Sequence, residues 1–324
     1  MKQRKRFWTV WLLFLLCVTA ASAQSDAMLN HYFMATSYYN PAAVGKTNEL
    51  NLTGLYRMQW LGMENAPKQI FATADMPFKF KKIQSGVGIM FYSEKAGMYS
   101  DVSAALQYAY KRKLGKGTLS IGLRGGLYSR SFNGDSIHIP NSEDHSTEDE
   151  AIPTGGTASG KNLDIALGLF YSTDKYYVGL ASTHILAPNI ELDENVVQQV
   201  DREYNLTAGY NIKLKNPLIV LQLSIFVQTD IKTFAVGDVT ARAVYKNMFN
   251  GGLGARFGDN GGLNSMILYL GANIWKFRVS YSYEYPFTAI SKVSSGSHEA
   301  MVTYQLQLKK PKGGKNKHKS IRIL

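Results

Sequence analysis

The chain is short of nearly everything that catalysis, redox chemistry or a helical membrane anchor would need. Its 324 residues hold a single cysteine. That residue, Cys17, lies in an N-terminal segment with the look of a cleavable leader, so the mature protein is expected to carry no thiol and no disulfide. No apolar run approaches the roughly 20 residues of a membrane-spanning helix; the longest starts at Phe7 and ends near Ala20. Histidine is scarce, and His31, His138, His145, His184, His298 and His318 show no zinc-type spacing. H-E-x-x-H, G-x-S-x-G and P-loop motifs are all missing. No metal, no cofactor and no enzymatic activity are expected. A hydrolase built from Ser and His distant in sequence would need a Ser–His contact in the fold.

The ends of the chain are more informative. Lys2, Arg4, Lys5 and Arg6 precede the apolar stretch, and Ala21-Ser22-Ala23 follows it before Gln24. This is the pattern of a secretory signal peptide over residues 1–23. Leu16 before Cys17 argues against lipid attachment there, which wants a small residue. Of the formal charge of +12, the leader carries four positive charges and the tail 309–324 seven, leaving +1 on the body. The tail charges are Lys309, Lys310, Lys312, Lys315, Lys317, Lys319 and Arg322. Basicity concentrated in one Gly- and Pro-containing tail is a poor signature of nucleic-acid binding. Such a tail lacks the apolar content to order alone. It reads either as solvated or as a periplasmic docking element for an acidic partner or lipid headgroups.

What the chain does have is alternation. In Trp275–Tyr285 every odd position is aromatic or aliphatic and every even one polar or charged. An extended chain sends successive side chains to opposite faces, and about 9–11 residues suffice for a tilted strand to cross a bilayer. Turn residues delimit fourteen candidate strands, near 49–60, 67–76, 85–94, 99–111, 117–131, 162–172, 174–185, 203–213, 218–230, 233–245, 251–258, 263–273, 275–286 and 298–308. The glycine-rich 251–258 is the weakest. Long connections (132–161, 186–202, 287–297) alternate with short turns, as outer loops and periplasmic turns do in such barrels. The pattern predicts an all-β fold: a transmembrane antiparallel β-barrel of about 14 strands, outer-membrane type, over 49–308. Closure removes the unpaired edges that hydrocarbon does not tolerate. Arg57, Gln59, Lys111, Arg124, Lys276, Arg278 and Glu284 are expected to face the lumen, where opposed charges would fill a barrel of this size. The acidic run 143–150 reads as a solvated outer loop, without the ligand spacing of a calcium loop.

Three segments carry a family resemblance. His31-Tyr32-Phe33-Met34 leads to Tyr39-Asn40-Pro41-Ala42-Ala43-Val44-Gly45; Tyr56-Arg57-Met58-Gln59-Trp60-Leu61-Gly62-Met63-Glu64-Asn65-Ala66-Pro67-Lys68 forms a compact block. Tyr281-Ser282-Tyr283-Glu284 is followed by Gly296-Ser297-His298-Glu299. In order and spacing they resemble the PorP/SprF family of outer-membrane proteins of the Bacteroidetes type IX secretion system. The departures are Met58, where the family often has Gln, and Asn65, where Gly is usual. The resemblance implies a non-enzymatic barrel working with periplasmic lipoprotein and ring components of that machine, and with secreted adhesin-like proteins, in gliding cells for motility. A channel for small or hydrophobic solutes is the alternative that a barrel this size would also house.

The motif residues have readings of their own. Asn40-Pro41 forms turns and Gly45 can end a segment. Residues 24–48 are expected to be a lead-in to strand 1, or a plug folded against or into the periplasmic mouth. Trp60 is expected as an interfacial anchor at the end of strand 1, with Ala66-Pro67 shaping the next turn.

Overall fold

A computed structural model describes residues 26–81, 83–134, 156–193, 196–259 and 261–308. The leader, the acidic run 143–150 and the tail 309–324 with its Lys and Arg residues lie outside the described residues. Among the described residues no helix is long and apolar enough to cross a membrane.

Sixteen strands are described: β1 (Glu49–Met58), β2 (Lys68–Phe80), β3 (Ile83–Ala96), β4 (Tyr99–Leu114), β5 (Gly117–Asn133), β6 (Thr157–Ser172), β7 (Tyr176–Thr183), β8 (Asn189–Asp193), β9 (Val196–Gln199), β10 (Glu203–Lys213), β11 (Ile219–Thr229), β12 (Ala235–Tyr245), β13 (Phe249–Phe257), β14 (Leu263–Ile274), β15 (Phe277–Pro286) and β16 (Ser297–Gln307). Fourteen of them close into one barrel, β1 pairing with β16 and β7 with β10. All neighbours are antiparallel. Each strand read from the alternation is present, its ends shifted by a few residues, and the glycine-rich stretch forms β13.

The faces are inverted relative to a water-soluble sheet. In β15 Phe277, Val279, Tyr281 and Tyr285 are exposed while Ser280, Ser282 and Glu284 are buried. Leu106, in the middle of β4, is 69% exposed. An apolar exterior around a polar interior is stable only with hydrocarbon outside. Aromatic rings mark both rims: Phe277 against Tyr304 at one end, Tyr285 against Phe287 at the other. Two expectations need correction here. Trp275 and Lys276 belong to the turn before β15, Trp275 with φ 54, and the Lys276 ammonium sits 4.8 Å over the exposed Trp275 ring. It therefore stands at the rim, outside the strand alternation.

One end of the barrel carries the short turns and both ends of the barrel chain; the other carries the long connections. The 184–202 connection is not an open loop. Its β8–β9 hairpin buries Ile190, Leu192 and the following Val200 against Tyr128 and Phe132 on the inner face of β5. The segment before β1 lies inside the barrel. It runs from Asp26, beside Glu203 and His184 near the long-loop end, through a helical turn α1 (Thr36–Tyr39) and a 3-10 turn (Pro41–Ala43), to the short-turn end where β1 starts.

Leu106→Arg should lower the unfolding free energy in lipid vesicles by about 2–4 kcal/mol, the cost of a cation on a barrel's lipid face near mid-bilayer. Urea titration of the refolded barrel measures this; an unchanged midpoint would place that face in water.

Candidate functional site: a plugged lumen and its seam

The barrel closes where its first and last strands meet, in a register that sets Arg57 opposite Glu299. Both point inward and are fully enclosed. Arg57 Nη2 is 2.7 Å from Glu284 Oε2 and Nη1 is 3.3 Å from Glu299 Oε2. Arg256 extends the network to Asp238 at 2.8 Å and back to Glu284 at 3.2 Å. Glu299 also accepts the backbone N–H groups of Asn30 and His31, each at 2.8 Å, and lies 2.6 Å from His31 Nδ1. A buried carboxylate is costly unless its lone pairs are occupied. Here one partner, Arg57, comes from the wall and three contacts come from the plug.

The rest of the plug is held the same way. Its short turns leave backbone groups unpaired, and buried carbonyls need donors. Tyr269 Oη donates to Asn30 O at 3.1 Å, Gln107 Nε2 to Ser37 O and Arg124 Nη1 to Tyr38 O at 2.8 Å. Asn40 caps the 3-10 turn, Oδ1 accepting from Ala42 N at 2.9 Å, while its Nδ2 donates to Leu169 O and Leu180 O on the wall. Lys111 Nζ donates to Gly45 O. Tyr32, Tyr38 and Tyr39 fill the centre against Phe71, Phe226 and Met301. The wall thins to meet the plug backbone: a Cβ on Gly122 would sit 2.1 Å from Ala42 N, and one on Gly86 2.1 Å from Val44 O. Gly45 has φ 61, and its own Cβ would strike Met76 O at 2.6 Å.

At the long-loop end Asp26 N donates to Glu203 Oε1 at 2.7 Å, and Asp26 and Asp164 each hold His184 at 3.0 Å. Burial alone would lower the His184 pKa, but the two carboxylates outweigh it and lift it from 6.5 to about 10. A raised pKa contributes stability fully below 6.5 and loses it as pH rises through about 10.

The three motif segments converge on this seam. Leu61 N donates to Gly296 O and Ser295 N to Leu61 O, both at 2.7 Å, and Trp60 N donates to Ser297 Oγ at 3.2 Å. Gln59 N donates to Pro67 O at 2.9 Å, closing the β1–β2 loop, in which Gly62, Asn65 and Trp60 have positive φ. Asn65 at φ 54 occupies a conformation Gly would adopt more easily. Ala66 lines a small pocket with Gly62 beside that loop. Trp60 is not a lipid anchor: β1 ends at Met58, and Trp60 lines a cavity of about 440 Å³ at the long-loop end with Asp26, Gln59, Gln69, Glu94 and Glu284. Tyr283 and His298 face outward, Tyr283 Oη donating to Ser295 O and His298 Nδ1 lying 2.6 Å from Tyr281 Oη. Glu299, one residue on, faces in. Among the residues expected in the lumen, Arg57, Arg124 and Glu284 are buried there, and Arg278 reaches Gln305 at 3.3 Å.

Sequence spacing concealed one constellation. Ser280 Oγ is 2.7 Å from His31 Nε2, whose Nδ1 meets Glu299. The order Ser–His–Glu is that of a hydrolytic triad, but Ser280 Oγ donates to Leu270 O, all three residues are enclosed, and none lines a described cavity. In the folded protein it fastens the plug. No group of His, Cys, Asp or Glu among the described residues is arranged to hold a metal.

An apolar-outside closed barrel defines the class: an integral protein of an outer membrane. The model of the type IX secretion system membrane protein PorP/SprF matches residues 21–304, and the chain belongs to that family. No curated protein sequence matches it. Similar solved structures include a TodX deltaS2S3 mutant, a monoaromatic hydrocarbon channel (10% identity, 87% of this chain and 95% of that one, TM-score 0.49). The Pseudomonas putida toluene transporter TodX (10%, 89% and 96%, 0.45) and outer membrane phospholipase A from Escherichia coli (11%, 82% and 98%, 0.35) are others.

Removing Glu299 as Glu299→Ala leaves the Asn30 and His31 N–H groups without their acceptor and Arg57 with Glu284 alone, at a cost of about 3–5 kcal/mol. Gly122→Val should displace the plug while leaving the wall paired. With Ala35→Cys as a reporter on a chain that begins at Gln24, either change should raise the rate of maleimide labelling at least about tenfold, the equivalent of ~1.4 kcal/mol. Equal rates in the parent and both variants would mean that neither contact holds the plug.

Proposed function

We propose that this protein is a non-enzymatic scaffold of type IX secretion in the outer membrane, and of gliding where the cell glides, rather than a conduit. The filled lumen carries this reading. A channel needs a continuous path, whereas the plug here is bonded to the wall along its length and its aromatic rings occupy the centre. What remains for function are the two ends. Outer-membrane barrels keep their short turns in the periplasm. On that orientation the turns and the basic tail meet the periplasmic lipoprotein and ring components, and the long-loop cavity beside Trp60 meets a secreted, adhesin-like partner. Asn40, Pro41, Ala42, Gly45, Arg57 and Glu299 then serve by fixing the plug, and Gln59, Trp60, Gly62, Ala66, Pro67 and Gly296 by shaping the outer rim.

Cells lacking the protein should lose surface display of an adhesin-like substrate, with the parent gene restoring it and Glu299→Ala restoring much less. In planar bilayers the purified parent should show no steady conductance, and deletion of residues 26–47 should open one. Intact secretion in the null strain, or solute-selective conductance by the parent, would favour the channel instead.

Ser280 should not react with a fluorophosphonate probe in the folded protein. Stoichiometric labelling lost in Ser280→Ala would make the barrel a hydrolase.

A further inference from the structure

The lumen is polarised. The long-loop cavity is lined by Asp26, Glu94, Asp101 and Glu284 with one cation, Arg256. At the opposite end, beneath the plug, a pocket of about 240 Å³ is lined by Lys46, Arg242 and Arg278 and by no carboxylate. These cations have neutral partners. Arg242 donates to Gln222 at 2.8 Å and stacks 3.5 Å over the Phe33 ring; its Nε–H has no acceptor. Arg278 donates to Gln305, and Lys46 lies over the Tyr177 ring at 4.2 Å. Glu49, whose charge reaches Arg278, accepts from Gln305 at 2.9 Å, and Asp75 accepts from Gly45 N at 2.8 Å; neither is part of the pocket. Two guanidinium groups on the inner face of the wall and the ammonium of Lys46, exposed on the segment before β1, have donors to spare and form a site for an oxyanion.

The pocket is not isolated. It shares Asn211, Gln222, Val244 and Asn247 with a groove of about 710 Å³ along the turns, where Lys175, Lys213 and Lys246 face a single acid, Asp174. The chain leaves the barrel at this same end, Gln307 pairing with Glu49, and continues into the seven Lys and Arg residues of the tail. We propose that the short-turn mouth is a docking site for an acidic polypeptide segment, one carboxylate entering the Lys46–Arg242–Arg278 pocket and further ones lying along the groove. The groove is what selects a peptide, since a free small anion would fill the pocket alone. Lipid headgroups are disfavoured because Arg242 and Arg278 are on the inner face of the wall. The chain's own acidic run, between β5 and β6, is attached at the opposite end. The proposal deepens the scaffold reading by naming the chemistry of its periplasmic partner.

The test uses the full mature protein in nanodiscs of zwitterionic lipid and a fluorescein-labelled oligoglutamate peptide, with its glutamine counterpart as control. Fluorescence anisotropy should show binding of the glutamate peptide alone, weakening as salt rises. Arg242→Gln with Arg278→Gln should weaken it roughly tenfold or more. Lys175→Gln with Lys213→Gln and Lys246→Gln, at exposed turns and the exposed end of β10, should also weaken it. Heat-modifiable mobility on gels verifies that each variant folds. Undiminished binding in both sets, or full displacement by inorganic phosphate at an equal concentration of charge, would overturn the proposal. So would preferential capture of phosphatidylglycerol vesicles over the peptide. Because the assay uses purified protein, its failure leaves the secretion phenotype standing, and a missing phenotype leaves the binding standing.

Discussion

Arg57 and Glu299 face each other across the seam, separated by 242 residues of chain, and the rest of the molecule is organised around that pair. The wall strands must send one face to lipid and the other inward, so any charge on the inner face has to find partners in the lumen. A water-filled tube would solvate those charges. Here a polypeptide takes the water's place, and Glu299 is shared between the wall guanidinium and two plug N–H groups. Buried ion pairs bring little net stability against apolar replacements, because desolvation offsets their attraction. What they do bring is position: a plug shifted by one residue would take the Asn30 and His31 donors away from Glu299, while Arg57 stayed paired within the wall.

The wall was legible because the strand period is exposed in the residues themselves. Trp275–Tyr285 reads as one greasy and one polar face, and β15 keeps those faces with lipid reversing their burial. Even the glycine-rich β13 was located by its neighbours' turns. The interior was not legible. Gly122 and Gly86 look like weak points in strands, and only their approach to Ala42 and Val44 gives them a purpose. The β8–β9 hairpin hides its alternation in a few residues, and its burial depends on Tyr128 and Phe132, far back in the chain. Ser280 and Glu299 lie on the neighbouring strands β15 and β16, and only the plug brings His31 to them. Of the motif residues, Trp60 shows the difference best: an aromatic after a strand suggests a lipid anchor, yet a positive φ turns it into the outer cavity.

Charge within the lumen is sorted along its axis, although the barrel body is nearly neutral. Carboxylates gather under the long loops and unpaired cations under the short turns, with the plug between them. Low-dielectric walls focus fields toward each mouth, and the two pockets differ in the charges that line them. A conduit would gain little from this arrangement, since an ion favoured at one end is opposed at the other. Two docking faces of different chemistry gain a great deal, because each mouth rejects what suits the other.

Closure and plugging are also a single event in physical terms. The plug leads directly into β1, and β1 must find β16 across nearly the whole chain, the slowest kind of contact to form. If the seam closed on an empty lumen, Glu299 would lose its Asn30 and His31 donors while still enclosed beside Arg57, and Gln107 and Arg124 would lose the carbonyls of Ser37 and Tyr38. Water entering such a lumen would have to solvate these groups instead, so what the tethered segment adds is fixed partners at fixed positions. The residues that carry the family likeness lie on both sides of that step, on the plug, on the first strand and on the last pair, which is where a sequence must be specific if the seam and the plug are to fit one another.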